Sequence, residues 1–295
     1  MTLREALIIG RKELSGHRCP DSDPDREAEL FLCRAAGLSR EAALAAPEAE
    51  LSGAQQKHFL AYIKRRLAHE PAAYIVGTAW FQGREFSVSP ATLIPRPATE
   101  TVADAAAAAC ARHPLALVLD VGTGSGCVAV YLAAAFPEAR VIGLDVAAAA
   151  LKTARRNAAA HRVGRRATFR RSDLLAGLSR TDAAPGRAVV IAANLPYLPS
   201  AIISGLAPEV RDFEPRIALD GGPDGLDLCR RLIGQAADRF AGADLHLVLE
   251  LLPEQYAPLA AFARKKIPGL KAGRILNLSG ICVGAALRRG CAAVR

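Results

Sequence analysis

The chain has 295 residues, 51% hydrophobic and 23% charged, a composition that excludes wholesale disorder, collagen and coiled coil. That length fits one large domain or two unequal ones, each able to bury a core without staples. The formal charge is +9, yet residues 1–70 balance 11 basic against 11 acidic side chains, so the whole excess lies downstream and indicates two units with different surfaces.

Seven cysteines (Cys19, Cys33, Cys110, Cys127, Cys229, Cys282 and Cys291) form an odd set without a Cys-x-x-Cys pair, which argues against a disulfide framework or zinc knuckle and for a reducing compartment. Glu5, Arg11, Lys12 and Glu13 interrupt the first apolar residues, so a secretory signal is not expected and the protein is placed in the cytoplasm. Two uncharged stretches, 121–137 and 188–208, are broken by Gly122, Gly124 and Gly126 and by Pro196, Pro199 and Pro208, so no contact with a membrane is expected.

In chain order, residues 1–73 read as short helices. Asp23-Pro24 starts a helix that Gly37 ends, Ser39 caps another, and Ser52 with Gln55 forms a capping box ahead of Phe59, Leu60, Ile63 and Leu67 at helical spacing. Such a small bundle suits docking of a partner. Between residues 74 and 88, β-branched and aromatic residues around Gln82-Gly83 predict a hairpin, and the proline-stiffened run 93–100 suits a linker. From residue 101 to the end, short apolar strands at 115–121, 140–145, 168–172, 188–193 and 245–249 alternate with helical patterns. This predicts an α/β domain with a doubly wound parallel sheet over residues 101–295.

The strand Leu-Val-Leu-Asp-Val runs into Gly122-Thr123-Gly124-Ser125-Gly126 and then an apolar helix. Glycines at a strand-to-helix turn let a ligand approach the backbone at the carboxyl edge of the sheet. The next strand ends in Asp145, nineteen residues after Gly126, where an acidic side chain accepts from ribose hydroxyls. A dinucleotide fingerprint would need glycine at Cys127, and a hydrolase elbow around Ser125 would need glycine at Thr123 and Cys127. The Gly-x-Gly-x-Gly form preceded by Asp120 fits an S-adenosylmethionine pocket better. The six histidines (His17, His58, His69, His113, His161 and His246) show no metal-ligand spacing, and no metal is expected.

The fourth strand delivers Asn194-Leu195-Pro196-Tyr197. A planar NH2 group is a poor nucleophile, so methylating one requires acceptors that align its lone pair. The Asn194 side-chain oxygen and the Leu195 carbonyl can accept its N–H bonds, while Tyr197 packs on the planar target.

With these residues assembled, the chain resembles the protein-(glutamine-N5) methyltransferases, most closely the branch that modifies peptide chain release factors. The resemblance spans almost the whole length, through Asp120 to the glycine loop, Asp145, Ser172-Asp173, the 194–197 turn, Phe213-Glu-Pro, Ala-Leu-Asp-Gly-Gly-Pro-Asp-Gly at 218–225, Glu-Pro-Ala-Ala-Tyr at 70–74 and Leu-Ile-Pro-Arg-Pro at 93–97. It implies a seven-stranded S-adenosylmethionine-dependent methyltransferase domain preceded by a small all-α domain (1–73) and a β-hairpin linker (74–100). It further implies that Asp120, Gly122, Thr123, Gly124, Ser125, Gly126, Asp145 and Asn194 bind the cofactor, that Asp173 and Leu174 border its adenine, and that Asn194, Leu195, Pro196 and Tyr197 form the catalytic turn that holds the glutamine of a Gly-Gly-Gln loop. Leu195 replaces the family's usual proline but precedes Pro196, which keeps it extended. Leu174 stands where an aromatic residue is common, and Ala98 where an acid is; no physical account of Ala98 follows.

Two rivals accompany this expectation. A methyltransferase acting on an exocyclic amine of RNA or DNA is favoured by Leu195 and by the basic run of Lys152, Arg155, Arg156, Arg162, Arg165, Arg166, Arg170 and Arg171. A noncatalytic cofactor-binding partner protein is the other. The expected partners are release factors, with an indirect contact with ribosomal RNA through the basic run, and the expected state is a monomer.

Overall fold

A computed structural model describes residues 1–16, 23–179, 182 and 187–290; His17, Cys19 and Cys291 lie outside the described residues. The chain divides into two compact units, Met1–Thr78 with Gly205–Phe213, and Ala79–Ser204 with Glu214–Arg295.

The first unit is helical: α1 (Leu3–Ser15), α2 (Pro24–Ala36), α3 (Arg40–Ala45), α4 (Gly53–Leu67) and α5 (Ala72–Val76). Its helix starts follow local rules. Asp23 accepts from the backbone N–H groups of Asp25 and Arg26, Ser39 accepts from Ala42, and Ser52 and Gln55 satisfy each other's N–H reciprocally. Gly37 ends α2 in the left-handed conformation. Phe31 and Phe59 are wholly buried with Leu3, Leu14, Leu32 and Ile63.

A short helix numbered later in the chain, α9 (Pro208–Arg211), completes this unit. Arg66, nearly sealed from solvent, donates to Glu27 on α2 and to Glu209 on α9, each at 2.8 Å. Burial works against its charge, but the two carboxylates outweigh it and hold the guanidinium pKa above its ordinary value. The helical unit is therefore discontinuous in sequence, which the boundary expected at residue 73 does not capture.

In the second unit, β1 (Thr78–Phe81) starts at the boundary and pairs with β2 (Arg84–Ser87) through Gln82 and Gly83, both at positive φ, as a two-residue hairpin requires. The hairpin is shorter than the run 74–88, because residues 72–76 close the helix α5 instead. The stretch expected as a linker also differs: Pro97 opens a 16-residue helix, α6 (Pro97–Arg112), its fixed φ and missing N–H suiting the first turn.

The sheet follows with β3 (Leu117–Val121), α7 (Cys127–Ala135), β4 (Arg140–Asp145), α8 (Ala148–Ala160), β5 (Ala167–Arg171), β6 (Val189–Ala193), α10 (Asp227–Arg239), β7 (Leu245–Glu250), α11 (Tyr256–Lys266), β8 (Lys271–Leu276) and β9 (Cys282–Arg289). Its seven strands run in the order β5-β4-β3-β6-β7-β9-β8, with β9 antiparallel to both neighbours and the rest parallel. Every residue of β3 and β6 is buried, with Leu119 and Ile191 in the core on one face and Val118 and Val190 in the core on the other. At the antiparallel edge β8 buries only Ile275 and carries no apolar run, whereas β9 carries the apolar run 282–287, which the five expected strands do not include. Between β3 and β6 the strand order reverses direction, which opens a crevice at their carboxyl ends. Among the described residues, no helix is long and apolar enough to cross a membrane.

Candidate active site

The loop after β3 is held by its own neighbourhood. Asp120, 2% exposed, accepts from the Thr123 hydroxyl at 2.6 Å and from the Ala129 N–H at 3.0 Å, tying the strand end to the first turns of α7. Burial pushes its carboxyl up to about 6, and nearby Asp145 adds to the rise against those two donors. Gly122, Gly124 and Gly126 all have positive φ. A Cβ on Gly122 would meet Leu195 Cδ2 at 3.0 Å, and one on Gly126 would meet Ala154 Cβ at 2.9 Å. Asp145 receives the Gly124 N–H at 2.9 Å on one oxygen and the Ala147 N–H at 2.8 Å on the other, and a carboxylate keeps further lone pairs for a ligand hydroxyl.

The turn after β6 is held from farther away. The Asn194 amide nitrogen donates to Thr99 Oγ1 at 2.9 Å, while its Oδ1 accepts no hydrogen bond among the described residues. The Tyr197 hydroxyl donates to Glu250 Oε1 at 3.1 Å, and the Tyr197 carbonyl accepts from Gln255 Nε2 at 2.7 Å. Loop 221–225 backs the turn so closely that a Cβ on Gly225 would stand 2.0 Å from the Tyr197 carbonyl oxygen and one on Gly221 2.5 Å from that of Pro196.

Both turns face one cavity of about 360 Å³, a size suited to a small cofactor. Asp120, Gly122, Thr123, Gly124, Ser125, Asp145, Asp173, Leu174, Asn194, Leu195 and Pro196 all line it. Two of the expected residues do not. Gly126 lies behind the wall and lets α7 pack on α8, and Tyr197 turns its hydroxyl to Glu250 instead of standing in the wall. Leu195 is 4% exposed and packs in the core, where its side chain covers Gly122. Leu174 holds φ +50, a sparsely populated conformation for a branched residue, fixed by the Ser172 hydroxyl donating to its carbonyl at 2.6 Å. Asp173 pairs with Arg231 at the same cavity.

The wall also includes residues not expected at the site: Thr92, Leu93, Ile94, Pro95 and Thr99. Glu214 anchors this stretch by accepting from the Ile94 N–H and the Arg96 guanidinium. Asn157 of α8, 1% exposed, donates to the Ser125 carbonyl and exchanges two hydrogen bonds with the Ser87 backbone, binding the glycine loop to the hairpin. Leu93, Ile94, Pro95 and Glu214 carried a signal as members of the Leu-Ile-Pro-Arg-Pro and Phe-Glu-Pro motifs, and Thr99 as part of the Thr99-Glu100 pair that follows the first; Thr92 and Asn157 carried none.

The acceptor set, apolar flank and close-packed glycines fit a nucleoside bearing a charged tail, as S-adenosylmethionine is. At the opposite edge of the sheet, Asp244 stands 3.5 Å from His113 Nε2 and 3.1 Å from His246 Nε2. Arg112, Lys271 and Arg288 line the same hollow and oppose a cation there. The basic run is partly committed internally: Arg155 donates to the Phe169 carbonyl, Arg171 to that of Val146, and Arg170 pairs with Asp182.

Residues 5–77 match the model of the PrmC N-terminal domain, and residues 118–213 match a methyltransferase domain. A release factor glutamine methyltransferase of Moorella thermoacetica is 39% identical over 266 residues, covering 90% of each chain. Its counterpart in Koribacter versatilis is 40% identical over 236 residues, covering 80% of this chain and 81% of that one. Among solved structures, the hMettl16 catalytic domain in complex with MAT2A 3'UTR hairpin 6 superposes with a TM-score of 0.55 at 14% identity, covering 70% of this chain and 74% of that one, a likeness of fold alone.

Proposed function

Because the chain belongs to the release factor glutamine methyltransferase family, we propose that it methylates the side-chain amide nitrogen of the glutamine in the Gly-Gly-Gln loop of peptide chain release factors. One observation carries this reading. Asn194 lines the cavity that the glycine loop also lines, spends its NH2 group on Thr99 and keeps an oxygen that accepts no hydrogen bond among the described residues. S-adenosylmethionine, when bound, supplies the electrophilic methyl group.

The chain's own residues do the rest. Asp145 accepts from ribose hydroxyls, Leu174 flanks the adenine, and loop 122–126 lets the ligand approach the backbone. The Asn194 oxygen and the Leu195 carbonyl accept the two N–H bonds of the substrate amide and so fix its plane against the methyl donor. Catalysis is then approach and electrostatics, with reacting atoms about 3 to 3.5 Å apart, and the proton leaves to water after the transfer.

Likeness to release factor glutamine methyltransferases over most of the chain supports a protein substrate over a nucleic-acid amine. The helical unit is assigned to docking the release factor. The exposed Lys152, Arg156 and Arg165 are assigned to an indirect contact with ribosomal RNA. The protein is read as a cytoplasmic monomer.

The test is to incubate the protein with methyl-labelled cofactor, a release factor and bulk ribosomal RNA, then locate the label by peptide mass spectrometry and nucleoside analysis. Label on the loop glutamine is expected. Asn194→Ala should keep cofactor binding and lose on the order of 10² to 10³ in turnover, as removal of one positioned polar group does. Label on adenine, or a fully active Asn194→Ala, would overturn the reading.

A further inference from the structure

Glu250, at the carboxyl end of β7, is 1% exposed and belongs to no recognised motif of the site. Its Oε1 takes the Tyr197 hydroxyl, and its Oε2 has no hydrogen-bond partner among the described residues. A buried carboxylate with an unpartnered oxygen is costly to keep. Thr99, 3% exposed in the first turn of α6, stands between this carboxyl and Asn194: its oxygen accepts the Asn194 NH2, and its hydroxyl hydrogen favours the ionised form of Glu250.

Direction matters in that chain of groups. A carboxylate only accepts, a hydroxyl donates one hydrogen, and a carboxamide has a donating and an accepting end. Thr99 uses its oxygen as an acceptor, so its hydrogen is free to turn toward the unpartnered oxygen of an ionised Glu250, which leaves only lone pairs for Asn194. The carboxamide must then present NH2 to Thr99 and oxygen to the cavity. A protonated Glu250 could instead donate to Thr99, whose hydrogen would turn to Asn194 and let the amide present its NH2 to the substrate, where an acceptor is required.

We propose that Glu250 is a positioning residue for methyl transfer, which through Thr99 keeps the Asn194 oxygen turned toward the substrate amide and through Tyr197 braces the same turn. This rests on the role given to Asn194 above. The other charged groups facing Glu250 are few: Arg96 from the start of α6, itself paired with Glu214, and Tyr197 from the turn. Across the strand its register partner is Gly284, which carries no charge. Burial pushes the Glu250 carboxyl up to about 7, while Thr99, Tyr197 and Arg96 favour its charged form.

The experiment measures single-turnover methyl transfer to a purified release factor between pH 5.5 and 9, with cofactor affinity titrated in parallel, in the wild type, Glu250→Gln, Thr99→Val, Thr99→Ser and Asn194→Ala. The wild-type rate should fall as pH drops through about 7. Glu250→Gln and Thr99→Val should each lose roughly tenfold or more at pH 8, as removal of one orienting hydrogen bond does, with cofactor affinity within about twofold of the wild type. Glu250→Gln should also lose the step near pH 7, which separates Glu250 from Asp120 as its source. Thr99→Ser should restore the rate.

A fully active Thr99→Val, a pH step that survives in Glu250→Gln, or a loss of cofactor affinity that parallels the loss of rate would overturn the proposal. Should Glu250→Gln fail to fold, the Thr99 pair and the wild-type pH profile decide the matter. An active Asn194→Ala would instead remove the premise, whereas an inactive Asn194→Ala beside an unaffected Thr99→Val would sink the positioning role alone.

Discussion

The two turns that face the cavity leave neighbouring parallel strands, β3 and β6, in register at Val121 and Ala193, yet they are held in opposite ways. The glycine loop is built from its own surroundings: Asp120 binds Thr123 and Ala129, three and nine positions on. The Asn194 turn depends on Thr99, Glu250 and Gln255, between 53 and 95 positions away in the chain. The glycine loop and the two acids beside it can be encoded in one βαβ span, whereas the acceptor turn is held from three separate parts of the chain. Damage to the second should therefore arise at more distant positions and spare cofactor binding.

The sharpest way to break the distant support is Gly225→Ala. The added methyl would stand 2.0 Å from the Tyr197 carbonyl at a φ of +76, so the backbone of one loop must move. A destabilisation of about 3 kcal/mol or more is expected from combined overpacking and left-handed strain. Thermal unfolding checks it, and an unchanged melting temperature would refute the buttressing role.

Breaking the local support should read out differently. Asp145→Ala removes the acceptor offered to the ribose and is expected to weaken cofactor binding by roughly 10- to 100-fold, the worth of hydrogen bonds to a charged group. Calorimetric titration measures it, and methyl transfer at saturating cofactor should recover most of the rate. Equal losses in both quantities would erase the distinction between the two turns.

A further effect concerns pH and stability. Folding raises Asp120 from its ordinary 3.8 to about 6, so the folded state favours its protonated form. That contribution is whole below the ordinary carboxylate range and is lost as pH rises through about 6. Between pH 4 and pH 7 the wild type should lose more stability to urea than Asp120→Asn does, and parallel curves would exclude the shift.

Legibility in the sequence follows the same division. The loop 122–126, Asp120 and Asp145 could be read because strand, turn and acid lie within one βαβ span. Asn194 could be read as a chemical type, but nothing in its vicinity pointed to Thr99 or Glu250, since three-dimensional proximity at 95 and 53 positions leaves no periodicity behind. The linker expected at 93–100 failed for a related reason: prolines mark stiffness without saying whether a stiff segment spans space or walls a cavity. Tyr197 was read by its ring, and its hydroxyl, drawn to a buried carboxylate, settled where it points. The helical caps at Asp23, Ser39 and Ser52 were legible because capping is decided within four residues.

The return of 205–213 to the helical unit also bears on the order of synthesis. Arg66 leaves the ribosome 143 residues before Glu209, a delay of roughly 7 to 30 seconds at ordinary translation speeds. Through that interval the nascent bundle carries a guanidinium satisfied on one side only. A shortened chain ending near residue 78 would hold that condition permanently, so a transplantable version of this module must be made from two stretches of polypeptide, not one.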